Sequence, residues 1–272
     1  MQSILQAVYC LLKYFCKIRI HYDSGFLGGA SMQQWYEQHF QEDYVKIYAH
    51  RNDELAAAEL EKIDKIIGFE PGKKLLDLCC GEGRHSRWFA KKGLQVVGVD
   101  LSQTLLRIAK SKPMDNIQYV HSDMRHIRFQ EEFDYVVNLF TSFGYFDKDE
   151  ENELVIRNIS NALKKRGIFL FDYLNPGYLR KNLIPFSREQ RDGLDITQYR
   201  KIDEDAVIKN IIVKDKKGER RYHEKVKLYT KEKMGDMFTK YDFHILHVFG
   251  DYDGETYKEA ESPRMIFVCQ KR

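Results

Sequence analysis

Short apolar runs alternate with amphipathic stretches between residues 74 and 173, and this alternation limits the possible folds more than any other feature of the chain. The apolar runs have the length of buried strands, and the stretches between them have helical spacing. Strands are predicted at 74–79, 95–99, 117–121, 133–139 and 167–173, and helices at 85–92, 103–110 and 150–163. The pattern indicates an α/β fold built from parallel β-α-β units, a doubly wound and mostly parallel sheet with helices on both faces.

The alternation stops after about residue 186. Three β-rich runs, residues 195–201, 206–214 and 220–229, have turns but no helix between them, which predicts an inserted antiparallel β meander over residues 186–229. A last helix is predicted at residues 230–240, followed by strands at 243–249 and 264–269. The polar connection between these two strands has no helical pattern, so we expect an antiparallel hairpin at the sheet edge.

Composition narrows the class of protein. The 272 residues are 43% hydrophobic and 31% charged, and a mean hydropathy of −0.55 excludes a polytopic membrane protein. Five cysteines form no paired framework, which favours a reducing, cytoplasmic location. The net charge of +3 comes from nearly balanced charges, so composition alone requires no nucleic-acid or membrane partner.

Residues 1–31 precede the predicted domain, which spans residues 32–272. Apolar positions between residues 4 and 20 recur at helical spacing, but basic residues interrupt them, and the run is too short and too charged for a membrane span. Three interpretations stay open: a docking helix, a membrane-surface or dimerisation helix, and a dispensable leader ahead of Met32. Residues 33–67 follow with helical spacing, and either a monomer or a homodimer is compatible with the sequence.

A glycine-containing turn joins the first predicted strand to its helix. Gly81 and Gly83 allow a ligand to approach the backbone closely, and Asp100 ends the second strand where a ribose diol needs an acceptor. NAD and S-adenosylmethionine both suit this geometry. The acidic side chains of Asp77 and Glu82 would repel the pyrophosphate of NAD, whereas a sulfonium and an amino group are tolerated there. The electrostatics therefore favour S-adenosylmethionine.

The third strand ends in Asp123 and Met124. The carboxylate of Asp123 can accept a hydrogen bond from an adenine amino group, and the thioether of Met124 is apolar enough to lie against the adenine ring. A strand-end aspartate also commonly caps the next helix, so each acid alone is ambiguous. The order of the glycine turn, Asp100 and Asp123 along the chain favours the cofactor interpretation.

Residues 74–173 resemble a class I S-adenosylmethionine-dependent methyltransferase domain. The resemblance rests on three segments, residues 77–85, residues 139–146, and residues 250–254 together with 262–264, and it is to small bacterial members of unknown acceptor. It implies a seven-stranded sheet with a reversed last strand. The chain departs from the usual turn at Cys79, which stands where the first of three glycines often lies.

The predicted site has a cofactor part and an acceptor part. The cofactor residues are Asp77, Cys79, Gly81, Gly83, Asp100, Leu101, Asp123, Met124 and Leu139, with Tyr44 and Arg51 from an N-terminal lid. Methyl transfer needs mainly alignment of donor and acceptor, so the acceptor candidates are the residues after strands four and five, Phe140, Ser142, Tyr145 and Tyr173. The alternative is that these aromatic residues only pack in the core. No cluster has metal-ligand spacing, so no metal is expected.

The acceptor itself is not derivable from these residues. The resemblance implies that the inserted meander covers the acceptor pocket, which favours a small molecule that is methylated on nitrogen or oxygen. The basic residues Arg220, Arg221, Lys225 and Lys227 leave open an RNA or protein acceptor, although alternation on a solvated strand face explains them without a partner, and nucleic acid is not expected. A third alternative is a non-catalytic nucleotide-binding subunit of the same fold.

Overall fold

A computed structural model describes residues 35–49 and 51–272, and the predictions for residues 1–31 lie outside this part of the chain. The described residues begin with three helices, α1 (Trp35–His39), α2 (Glu42–Ile47) and α3 (Asp53–Ile67). The α/β part follows with β1 (Lys74–Leu78), α4 (Arg84–Lys91), β2 (Gln95–Asp100), α5 (Gln103–Lys110), β3 (Ile117–His121), β4 (Phe133–Asn138), α6 (Asp149–Ala162) and β5 (Leu163–Leu174).

The rest of the chain adds a second sheet and returns to the first. Helix α7 (Pro176–Asn182) leads into β6 (Phe186–Arg191), β7 (Leu194–Asp203), β8 (Ala206–Asp215) and β9 (Gly218–Lys227). Helix α8 (Lys231–Lys240) then leads to β10 (Phe243–Phe249) and β11 (Arg264–Lys271). The prediction omitted α7 and β6. Alternating charged and polar residues in β6, a half-exposed edge strand, lack the apolar run that predicted the other strands.

The larger sheet has seven strands in the order β10-β11-β5-β4-β1-β2-β3. Strands β1 to β5 pair in parallel, whereas β11 runs antiparallel to both β5 and β10. The doubly wound sheet, its reversed last strand and the final hairpin are thus confirmed. The last strand lies inside the sheet, between β5 and β10, so β10 and not β11 forms the edge.

Both faces of this sheet are covered. Leu75 packs with residues of α3 and α4 on one face, and its neighbour Leu76 points into the cluster on the other face, with Phe171 and Phe267. This alternation explains why the strands read as continuous apolar runs. No helix among the described residues is long and apolar enough to cross a membrane.

The second sheet is a four-stranded antiparallel meander in the order β6-β7-β8-β9. One end of its inner face is apolar, and Ile196, Ile211 and Val213 pack there against Ile47 and Tyr48 of the N-terminal helices. The helices α1 and α2 and the segment that follows them, called the lid below, therefore pack against the meander over the carboxyl ends of the parallel strands. The carboxyl ends are where ligands of open α/β sheets bind.

Candidate functional site

A cavity of about 450 Å³ opens at the carboxyl ends of the parallel strands. Its walls come from the loops after β1, β2, β3 and β4, from the lid, and from the meander. The volume lies in the usual range for a small-molecule site. The cavity contacts most of the residues that the sequence singled out, and the exceptions are described below.

The turn after β1 forms one wall of the cavity. Cys79 has φ of 64° and Gly81 has φ of 57°, so both adopt left-handed backbone conformations, and both line the cavity. Cysteine thus takes a conformation that usually needs glycine. Gly83 does not line the cavity. A Cβ at Gly83 would lie 2.2 Å from the hydroxyl oxygen of Tyr119, so this glycine permits close packing of the turn on β3.

Asp77 also lies away from the cavity, although the sequence placed it among the cofactor contacts. Its side chain is buried, and the hydroxyl of Ser86 in α4 donates to it at 2.6 Å. Burial raises the pKa of Asp77 to about 6. Asp77 therefore connects the strand to the helix that follows the turn.

Asp100 faces the cavity at the end of β2. Its two carboxylate oxygens accept hydrogen bonds from the backbone N–H groups of Gly81 and Ser102, each at 2.8 Å. Burial raises its pKa. A carboxylate has about four lone-pair sites, so this one can hold the glycine turn and still accept hydrogen bonds from a ligand. The neighbouring Leu101 lines the cavity as well.

Asp123 lines the cavity after β3, and its carboxylate is held by Arg125. The guanidinium donates to both oxygens, with the shortest contact at 2.6 Å, and the Arg125 backbone N–H donates at 2.8 Å. Burial opposes ionisation of Asp123, but these hydrogen bonds lower its pKa overall. Met124 and Leu139 supply apolar wall beside it. Because Arg125 occupies both oxygens, Asp123 has less capacity for a ligand than Asp100 has.

Three guanidiniums surround Phe140 in the loop after β4. Arg51, Arg84 and Arg264 lie 4.6, 4.6 and 5.6 Å from the centre of its ring, and all four residues line the cavity. Arg51 also lies over the Tyr48 ring and donates weakly to the Tyr44 hydroxyl at 3.4 Å.

Two of these guanidiniums, those of Arg51 and Arg84, form no ion pair with a carboxylate of the described part of the chain. Nε of Arg51 is buried with no hydrogen-bond partner among the described residues. Burial and the charge of Arg51 lower the pKa of Arg84. Two half-buried cations close to one ring form a suitable site for an anionic group. The sequence analysis missed Arg84, although the residue directly follows the glycine turn.

Asp172 stabilises the loop that carries Phe140 through hydrogen bonds. Its buried carboxylate accepts three hydrogen bonds. The donors are the Phe140 backbone N–H at 2.8 Å, the Tyr252 hydroxyl at 2.8 Å and Arg264 Nε at 2.7 Å. Phe140 and Thr141 both have positive φ, 63° and 64°, and Arg264 also donates to the Thr141 hydroxyl at 2.8 Å. Residues from the second and third resembling segments thus meet around one carboxylate.

The acceptor candidates separate into two groups. Phe140, Ser142 and Tyr145 line the cavity, and Tyr145 lies edge-on to Trp35 of the lid at 5.2 Å. Tyr173 does not line the cavity: its side chain is fully buried, stacks on Phe171 and donates to the backbone oxygen of Lys227. Its prediction as an acceptor contact is wrong, because successive residues of β5 point to opposite faces and this one points into the core.

The meander contributes a charged wall that the sequence analysis did not single out. Arg200, Lys209 and Glu224 line the cavity, from β7, β8 and β9. The Tyr48 hydroxyl donates to Glu224 at 2.7 Å, and His39 Nε2 lies 2.7 Å from the same oxygen. Strand alternation places such residues on one face, but only the docking of the lid shows which face encloses the cavity.

The four basic meander residues of the sequence analysis are all ion-paired. Arg220 contacts Asp43 at 2.5 Å and Asp215 at 2.9 Å, while Arg221 contacts Glu219 at 2.6 Å. Lys225 and Lys227 pair with Asp147 and Asp149. Their charges are therefore compensated within the protein. Over residues 35–49 and 51–272 no group of His, Cys, Asp and Glu is arranged to hold a metal ion.

Comparison with known proteins agrees with this geometry. Residues 75–167 match the family described as methyltransferase domain. The Bacillus subtilis (strain 168) protein described as putative methyltransferase YqeM is 29% identical over 209 residues, which cover 73% of this chain and 84% of the relative.

Two solved structures share the fold. One is an S-adenosylmethionine-dependent methyltransferase from Clostridium acetobutylicum ATCC 824, with a TM-score of 0.70 at 19% identity over 84% of this chain and 96% of that one. The other is the sugar N-methyltransferase KedS8 from Streptoalloteichus sp ATCC 53650, with a TM-score of 0.67 at 18% identity over 92% and 97%. Residues 75–167 therefore form a methyltransferase domain, and with the sheet order and the turn after β1 these findings support the identification of the chain as a class I S-adenosylmethionine-dependent methyltransferase.

Proposed function

We propose that the protein methylates a nitrogen or oxygen atom of a small molecule bound between the lid and the meander. The observation that carries this proposal is the cavity of about 450 Å³, which is lined at once by the turn after β1 and by the inner face of the meander. A donor on the turn and an acceptor under the meander would share one enclosed space. Such enclosure suits a small acceptor better than a macromolecular surface.

The described residues fit S-adenosylmethionine. Asp100 has lone pairs for the ribose hydroxyls, and the Gly81 turn leaves its backbone open to a ligand. The unpartnered Nε of Arg51 and the nearby guanidinium of Arg84 suit the methionine carboxylate. Met124, Leu101 and Leu139 offer apolar contacts for the adenine.

The bound cofactor supplies a methyl group already activated on a sulfonium, so this chain's residues mainly position the acceptor. Phe140, Ser142 and Tyr145 line the stretch of cavity between the turn and the meander. They would exclude water and align the acceptor atom. An amine or hydroxyl acceptor also loses a proton, and solvent takes it.

Calorimetry with S-adenosylhomocysteine tests the cofactor site. We expect Asp100→Asn to weaken binding on the order of tenfold or more, since it removes a charged acceptor of hydrogen bonds. Asp123→Asn should weaken it less, because Arg125 already occupies that carboxylate. Asp115→Asn, at an exposed position, is the matched control. No binding by the wild type, or equal binding by Asp100→Asn and the control, would contradict the assignment.

A panel of acceptors tests the reaction. Radiolabel transfer from S-adenosylmethionine would be measured for small amines, amino sugars, phenols and total RNA. Amino sugars deserve early inclusion because a protein of the same fold, KedS8, is described as a sugar N-methyltransferase. We expect transfer to a small molecule, since four basic residues of the meander, Arg220, Arg221, Lys225 and Lys227, are ion-paired within the protein. Transfer to RNA alone would overturn the small-molecule assignment while leaving the cofactor site intact.

A further inference from the structure

Three charged side chains stand in a row across the meander wall of the cavity. Arg200 on β7 is directly opposite Lys209 on β8, and Lys209 is directly opposite Glu224 on β9. All three line the cavity. Neighbours in such a cross-strand row lie close enough for their charges to interact.

One end of the row is compensated within the protein. Lys209 Nζ lies 3.5 Å from Glu224, and Tyr48 and His39 contact the same carboxylate. Burial raises the pKa of Glu224, but its contacts with His39, Lys209 and Tyr48 lower it overall to about 2. Glu224 is therefore ionised at neutral pH and offsets the charge of Lys209.

The other end of the row is not compensated. Arg200 donates to the Ser187 hydroxyl at 3.1 Å, to the Ile184 backbone oxygen at 3.3 Å and to the Gln198 side chain, all of them neutral. Among the described residues, no carboxylate forms an ion pair with Arg200. Five N–H donors in a planar fork exceed these three contacts, so donors remain for a ligand.

The juxtaposition of Arg200 and Lys209 is unfavourable without a ligand. Like charges directly opposite on neighbouring strands destabilise a sheet, and partial burial strengthens the repulsion. Burial lowers the pKa of Lys209, and the charge of Arg200 lowers it further against the attraction of Glu224. An anion between the two cations would remove this cost.

We propose that the methyl acceptor carries an anionic group, a carboxylate or a phosphate, which binds to Arg200 beside Lys209 at the meander end of the cavity. This inference rests on the proposed function, because it places the acceptor in the same cavity. The rest of the acceptor would contact Leu179, Leu183 and Val226, which also line that cavity. The anionic group would hold the acceptor at the end of the cavity opposite the turn after β1.

Matched pairs of amines that differ in one anionic group test the inference on the full chain saturated with S-adenosylhomocysteine. The pairs are glucosamine with glucosamine 6-phosphate, ethanolamine with phosphoethanolamine, and glycinamide with glycine. Binding is measured by calorimetry in this state, and methyl transfer is measured in a separate assay in which radiolabelled S-adenosylmethionine replaces S-adenosylhomocysteine. We expect at least one anionic member to bind ten times more tightly than its neutral partner. The phosphate and carboxylate pairs distinguish the two kinds of anion.

Variants separate this subsite from the cofactor site. Arg200→Gln should weaken binding of the preferred anionic probe on the order of tenfold to a hundredfold and leave its neutral partner unchanged. Arg200→Lys should recover part of the loss. Arg188→Gln, which changes an exposed arginine of the same sheet, is the control. Affinity for S-adenosylhomocysteine should stay unchanged in all three variants.

Three results would overturn the inference: equal binding of anionic and neutral probes, no binding of any anionic probe, or an Arg200→Gln variant that binds the anionic probe like the control. A wild-type protein that does not bind S-adenosylhomocysteine would instead contradict the proposed cofactor site. The two failures are therefore distinguishable.

Discussion

Cys79 has a backbone conformation that residues with a side chain rarely adopt. Its φ of 64° places it in the left-handed region, where a Cβ costs about 1–2 kcal/mol relative to glycine. Its thiol lies 3.6 Å from the sulfur of Met124, so some of that cost is offset by packing. Cys79 thus adopts the left-handed backbone conformation that a glycine at this position would adopt without strain.

A stability series at this position tests the interpretation. In a strand or helix, glycine is less stable than alanine by about 1 kcal/mol, but here the order should reverse. We expect Cys79→Gly to have a free energy of unfolding equal to or higher than that of Cys79→Ala in urea titrations. A clearly more stable alanine variant would show that the backbone is not strained at this position.

The residues of the cavity differ in how far they could be foreseen. Gly81, Asp100 and Met124 were predicted because each ends a strand or lies in a turn, where local pattern indicates position. Arg200 carries no such local signal, and Arg84 follows the glycine turn but its contact with Phe140 depends on residues distant in the chain. Tyr173 was misplaced because a strand-end residue can point to either face, and the direction depends on the register of the whole strand.

At the scale of elements, the loop after β4 depends on strands distant in the chain. Asp172 on β5 accepts from the Phe140 backbone, and Arg264 on β11 and Tyr252 before it donate to the same carboxylate. Two successive non-glycine residues with positive φ persist only where the surroundings hold them. The reversed last strand therefore supports the loop that carries Phe140, in addition to closing the sheet.

Two substitutions measure how much the hydrogen bonds around Asp172 contribute to the free energy of unfolding. Tyr252→Phe removes one hydrogen bond and should cost about 1 kcal/mol of unfolding free energy. Asp172→Asn breaks a buried ion pair with Arg264 and leaves the Phe140 and Tyr252 donors facing a neutral amide. We expect this variant to lose about 3–5 kcal/mol of unfolding free energy. Urea titrations measure both values. Equal costs would mean that Asp172 does not organise the network.

The boundaries of helices and strands were predicted well where they depend on nearby residues and poorly where they depend on distant contacts. The helix Gln103–Lys110 and the strand Ile117–His121 were predicted to the residue, since periodicity and flanking turns are local. The helical spacing over residues 33–67 predicts two blocks, an aromatic-rich one at 35–48 and an alanine-rich one at 55–67, and the described residues form three helices there. The aromatic-rich block bends where Phe40 and Tyr44 pack around the cavity, and that packing is not encoded in helical spacing.

At the scale of the whole molecule, the lid and the meander meet around one carboxylate. Tyr48 and Glu224 are 176 residues apart in sequence, and their hydrogen bond of 2.7 Å is joined by His39 and Lys209. A second contact joins Asp43 to Arg220 and Tyr222. The cavity is therefore enclosed by tertiary contacts between the first described helices and the inserted sheet.

The Glu224 cluster predicts a pH dependence of stability. Burial raises the pKa of Glu224, but His39, Lys209 and Tyr48 lower it overall from 4.5 to about 2. A depressed carboxylate pKa stabilises the fold fully above the unfolded value, and this contribution is lost as pH falls from about 4.5 to about 2. Its size at neutral pH is on the order of 3 kcal/mol.

Urea titrations at several pH values measure this effect. Glu224→Gln should be less stable than the wild type at pH 7, and the difference should shrink as pH falls below about 4.5, because protonated glutamate resembles glutamine. Arg188→Gln, at an exposed pair of the same sheet, should show a small difference at every pH. A difference for Glu224→Gln that stays constant from pH 7 to pH 3 would contradict the assignment.

Patterns along the chain were enough to predict the α/β class, the final antiparallel hairpin, the glycine turn and the acid at the end of β2. Each depends on residues close in sequence or on the period of a single element. The cationic cluster at Phe140, the charged row across the meander and the core position of Tyr173 came only with the folded chain. They require side chains far apart in sequence to converge, and that convergence follows from strand register and from the docking of the lid, which no local period contains.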